Sequence, residues 1–165
     1  MSRPDRPMTT RSAVLAAALA AVSALAGCGA DAEQAPPTDL RPSPTGPPAE
    51  QLAEFTGLTP PDSAEGLEVA FATTDDGRLR MEGSFATDRA GAEAFCAADG
   101  IGAYPDPEGP DEEDREAFGT AEETVDGSTS CRGAALDSSQ VQRDVLVLYP
   151  AEDQASVHVL AYEYE

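Results

Sequence analysis

The stretch Leu67-Glu68-Val69-Ala70-Phe71-Ala72-Thr73-Thr74-Asp75-Asp76-Gly77-Arg78-Leu79-Arg80-Met81-Glu82-Gly83-Ser84-Phe85-Ala86 places two alternating rows on either side of an Asp-Asp-Gly turn signal. Apolar residues at every second position put one face of a strand inside and the other outside, so both rows read as strands and together as a hairpin. Register follows from burial. A two-residue Asp76-Gly77 turn would set Phe71 against Glu82 and send the two apolar rows to opposite faces. A three-residue loop of Asp75, Asp76 and Gly77 instead pairs Phe71 with Met81 and Leu67 with Phe85, and puts Gly77 at the left-handed position of the common three-residue hairpin. The second register is the one expected.

Downstream, Thr87 or Asp88 can cap a helix reaching about Ala98, with Ala92, Phe95 and Cys96 facing inward and Asp99-Gly100 ending it. From Tyr104 to Asp126 prolines and acids dominate, ten of the acids falling between Asp106 and Asp126. That region reads mostly as loop, with one turn of helix from Pro110 to Phe118. Asp144 to Tyr149 and Ser156 to Tyr164 are rich in β-branched or aromatic residues and are separated by a Pro150-led turn, which predicts a second hairpin. Upstream, Glu50 to Phe55 can form a short helix with Leu52 and Phe55 on one face, Gly57 as its stop, and Pro60 and Pro61 forbidding continuation. The expected fold class is α+β: a small four-stranded, mainly antiparallel sheet in the order strand, strand, helix, strand, strand, with one helix packed on a face.

The chain divides into three parts. Residues 1–27 open with Arg3, Arg6 and Arg11 against Asp5, then run almost entirely through Ala, Val and Leu from Ser12 to Leu25. A basic start followed by an apolar run shorter than a ~30 Å bilayer core requires is the pattern of a cleaved targeting segment, the alternative being an uncleaved anchor or a buried helix. Residues 28–50 are polar and proline-rich, including Pro36, Pro37, Pro42, Pro44, Pro47 and Pro48. Such a stretch buries too little apolar surface to offset its ordering entropy and reads as an extended tether. Residues 51–165 are long enough for one modest core and form the expected single domain.

The apolar run closes with Leu25-Ala26-Gly27-Cys28, which resembles the lipobox of bacterial lipoproteins at each position. The resemblance implies that Cys28 receives a diacylglyceryl group, that the signal peptide is cut before it, and that the chain is held by lipid at the outer face of the cytoplasmic membrane. Two acyl chains anchor stably where one is marginal, so no transmembrane helix is needed, and none is read after Cys28. The wording Leu58-Thr59-Pro60-Pro61-Asp62-Ser63-Ala64 is similar to a phrase in uncharacterised actinobacterial lipoproteins and brings no activity with it. Absent lysine with abundant Ala, Gly, Pro and Arg suits a high-GC genome and points the same way.

With Cys28 consumed by lipid, Cys96 and Cys131 remain of the three cysteines. In an oxidising compartment a leftover pair is most simply a disulfide, the alternative being two buried thiols.

Composition narrows the chemistry. The whole chain carries −21 at pH 7, and without residues 1–27 thirty acids face seven arginines, near −23. A surface of that sign repels nucleic acid and anionic headgroups and favours solubility, cations or basic partners. His158 is the only histidine and sits in an alternating strand, where a packed or surface role is the commoner one. No second histidine supports a zinc site, no Gly-x-Ser-x-Gly elbow occurs, and no lysine completes a phosphate loop. The acids from Asp106 to Asp126 are hard ligands of the kind calcium takes, but their spacing fits no twelve-residue calcium loop.

No catalytic residue, cofactor or metal ligand is therefore expected. The expected function is a non-enzymatic, membrane-anchored domain contacting a protein or a component of the cell envelope, and not nucleic acid. The alternatives are a small carboxylate-dependent hydrolase or transferase and an acidic cation-binding module.

Overall fold

A computed structural model describes residues 41–98, 100–120, 125, 127–135 and 140–164. They lie in the unit Pro36–Glu165; the other unit, Met1–Ala35, is outside them. So is the whole targeting segment with Leu25 to Cys28.

The first element, α1 (Pro48–Thr56), starts within the proline-rich stretch. Proline suits a first helical turn because the amide it lacks would have no intrahelical partner there. Extended Pro47 precedes it, and its carbonyl accepts from Glu50 and Gln51. Gly57 ends it at φ 74°, donating its N–H to the carbonyl of Ala53. Leu52 and Phe55 are buried, and Phe55 meets the Phe71 ring edge-on at 5.4 Å.

The quoted hairpin is β1 (Glu65–Thr73) and β2 (Leu79–Asp88), with Phe71 opposite Met81. Thr74 and Arg78 close the three-residue loop, Gly77 sits at φ 85°, and its N–H donates to the Thr74 carbonyl. The Thr74 hydroxyl donates to the Asp76 carboxylate, which with Arg78 nearby keeps that acid below the usual carboxylate range. Leu67 does not pair with Phe85, because the register shifts between Glu65 and Glu68 and leaves Leu67 unpaired in a bulge beside Gly66.

Asp88 then caps α2 (Arg89–Cys96), its carboxylate accepting from the Gly91 N–H at 2.6 Å. Ala92, Phe95 and Cys96 face inward, and Phe95 packs edge-on against Phe85 at 5.2 Å. The second hairpin is β5 (Val141–Ala151) and β6 (Gln154–Glu163).

The fold departs from the expected four strands and one helix. Between α2 and β5 lie β3 (Gly102–Asp106), α3 (Glu112–Ala117) and β4 (Ser128–Ala134). Among the described residues the sheet has six strands in the order β1-β2-β6-β5-β4-β3, each neighbouring pair antiparallel, with three helices. The two missed strands, Gly-Ala-Tyr-Pro-Asp and Ser-Thr-Ser-Cys-Arg-Gly-Ala, carry no apolar alternation. Pairing with neighbouring strands decides them, and strand propensity is governed by such context. β4 lies along β5, and β3 follows as an edge.

This order dictates the layers. After β2 the chain must reach the far edge, and α2 carries it across one side of the sheet before β3 to β6 return antiparallel. That side, the first face, is covered by α1 and α2. Leu79, Met81 and Phe85 of β2, Val145 and Val147 of β5, and Val157, Val159 and Ala161 of β6 are buried with the helices' apolar residues. A fully buried Val, Leu or Phe side chain contributes roughly 1.5–3 kcal/mol.

Within the same layer Arg143 is fully buried. Its guanidinium donates to the carbonyls of Gly133 and Ala134 at the end of β4 and, at 3.1 Å, to that of Thr56 at the end of α1. A cation is favourable where helix carbonyls lack partners, so Arg143 ties α1 to the sheet.

Candidate functional site

The second face is built from the other positions of each strand and is covered unevenly. Leu146 and Leu148 of β5 point to it and are nevertheless fully buried. The segment holding α3 lies on that side. Asp111 caps α3 by accepting from the Asp114 N–H at 2.8 Å, and Asp114 binds Arg132 at 2.7 Å and Ser130 at 3.2 Å on β4. Asp106 accepts from the Glu108 amide. These acids of the expected loop thus serve as caps and as a hook onto the sheet.

Beyond α3, over β1, β2 and β6, the second face opens into a groove of about 700 Å³. Register places Ser84 of β2 beside His158 of β6, Glu82 beside Leu160, and Glu68 and Ala70 of β1 beside Ser84 and Glu82. Glu116 and Phe118 form the wall on the α3 side. Arg80 pairs with Glu82 at 3.0 Å, both ends well exposed. An exposed pair of this kind is worth ~0–1 kcal/mol. The groove therefore carries Glu68, Glu82 and Glu116 against Arg80, an excess of carboxylates suited to cationic groups.

His158, half-buried, lies in this groove with its Nε2 3.1 Å from the Ser156 hydroxyl. Register alone could have placed it there, because it occupies an outward position between Val157 and Val159. The other groove residues come from three strands and a helix, and nothing in their spacing announces the convergence. At the end of the groove side, Tyr162 has its hydroxyl pKa raised by burial and by the charge and hydrogen bond of Asp144, with Arg132 opposing.

On the first face, beside α2, an apolar hollow of about 620 Å³ is lined by Cys96, Ala103, Pro105 and Tyr149. The Arg89 guanidinium stacks 3.9 Å from the centre of the Tyr149 ring, whose hydroxyl meets that of Thr129 at 3.1 Å. Cys96 on α2 and Cys131 on β4 lie at disulfide distance, with their Cα atoms 5.7 Å apart.

Among the described residues no group of three or more His, Cys, Asp or Glu side chains could hold a metal ion, and no helix is long and apolar enough to cross a membrane. Glu122, Glu123 and Asp126 of the acidic loop, like Cys28, lie outside those residues. Compared with protein-family models, curated proteins and solved structures, the chain matches none.

Proposed function

We propose that the chain is a lipoprotein held at the outer face of the bacterial cytoplasmic membrane by lipid on Cys28, and that its folded unit is a non-enzymatic binding domain for a protein or envelope component. The observation that supports the binding role is the open part of the second face: the segment holding α3 docks on β4 and leaves a groove rich in carboxylates over β1, β2 and β6. Cys96 and Cys131 form a disulfide, consistent with an oxidising compartment outside the membrane. A domain tethered to the membrane meets nearby partners at raised effective concentration. In-cell crosslinking of the intact protein followed by mass spectrometry should recover a specific neighbour. The Cys28→Ala variant should accumulate as precursor or leave the membrane fraction, and normal processing with membrane retention would contradict the anchor.

One observation favours a second reading, a hydrolase. The Ser156 hydroxyl, which lines a neighbouring hollow, is within hydrogen-bond reach of Nε2 of His158, as a nucleophile is of its base. Reproducible turnover in a substrate screen, lost in both Ser156→Ala and His158→Asn, would establish it.

A further inference from the structure

The sheet ends at β1 on one side and at β3 on the other, and the two edges are built differently. β3 has five residues and includes Pro105, and a short strand containing proline is a common way of blunting an edge. β1 has nine residues with neither proline nor lysine. Its inner side pairs regularly with β2 from Glu68 to Thr73, and among the described residues no strand pairs with its outer side. An antiparallel edge strand turns every second residue's N–H and C=O outward, a ready template for one more strand.

Two hollows flank this edge. On the first face a pocket of about 580 Å³ lies between α1 and the start of β1, lined by apolar Ala53, Pro60, Ala64 and Leu67 among others. On the second face the acidic groove begins at the same strand, with Glu68 and Ala70, and continues to Glu82. Side chains of an added strand alternate between these two environments. Apolar ones would cover Leu67, Val69 and Phe71, each only half-buried, and cationic ones would lie beside Glu68, with Glu82 across Ala70 on β2 already paired with Arg80.

We infer that the outer edge of β1 docks an extended segment of another protein in which apolar and basic side chains alternate, taken up as a seventh strand. This deepens the binding-domain reading and rests on it. A second copy of the chain is a poorer occupant, because it brings Glu65, Glu68 and a net charge of −21 to an edge that is already acidic.

The test uses the full chain and a ten-residue peptide alternating valine and lysine, with a valine–glutamate peptide as control. Hydrogen-exchange mass spectrometry should show residues 65–73 slowed by the lysine peptide, residues 102–106 unchanged, and no effect of the glutamate peptide. Glu68→Lys, a charge reversal at an exposed position outside the core, should weaken the lysine peptide by about tenfold, and raised salt should weaken it in the wild type. No protection at 65–73, or equal protection by both peptides, overturns the inference. Protection of 65–73 that grows with protein concentration and without peptide overturns it in favour of self-pairing. If the peptide fails while in-cell crosslinking still recovers a neighbour, the edge is wrong and the binding domain stands.

Discussion

On one side of the sheet, α1 and α2 meet the buried Phe85, Val147 and Val157, while on the other the segment holding α3 docks on β4 and stops short of His158. The first face owes its closure to topology, since the chain has to cross it to get from β2 to β3. On the second face, Asp114 of α3 holds to Arg132 and Ser130 of β4, and the cover does not reach the part over β1, β2 and β6. Stability thus resides on the first face, and the open part of the second face is available for contact.

Four changes sharpen this contrast, from the largest effect to the smallest. Phe95→Ala on the first face removes a buried ring packed on Phe85 and should cost about 3–5 kcal/mol in denaturant unfolding. Replacing Cys96 and Cys131 with serine should cost roughly 3.8 kcal/mol, from the entropy of a loop of about 36 residues, and unreduced peptide mapping of the wild type should show the two peptides joined. Arg143→Met leaves the carbonyls of Thr56, Gly133 and Ala134 without their charged donor and should cost about 1.5–3 kcal/mol. Glu82→Gln in the groove should change stability by less than ~0.5 kcal/mol. A groove change as costly as Phe95→Ala would erase the distinction.

Tyr162 gives a pH signature of the second face. Its hydroxyl titrates higher in the folded chain than unfolded, so the unfolded state loses this proton first as pH rises. The stability it contributes is intact below the ordinary tyrosine range, near 10, and declines as pH rises through the folded value. Tyr162→Phe should flatten that alkaline decline in urea midpoints, and an unchanged slope would assign the decline to other groups.

The sequence made the two hairpins, the Gly77 turn, the capped α2 and the cysteine pairing legible because each rests on a strong local pattern. Alternation fixed the pairing of Phe71 with Met81, and burial of one face selected the loop. β3 and β4 were illegible because Gly102–Asp106 and Ser128–Ala134 have almost no large apolar residues and take their strand form from neighbours. The bulge at Gly66 broke the expected Leu67–Phe85 pair, a departure that alternation cannot signal. His158 was singled out in the sequence, but the groove around it needed the sheet order, which brings β1, β2 and β6 together although β6 is last in the chain. Arg143 escaped notice because a single arginine in an apolar strand looks like a surface position.

The most direct measurement is site-specific photocrosslinking in the cell, with the probe at Ser84 in the groove and, for comparison, at Glu93 on the exposed side of α2. The account predicts one reproducible neighbour captured from Ser84 and not from Glu93. Equal, nonspecific capture from both positions would contradict it.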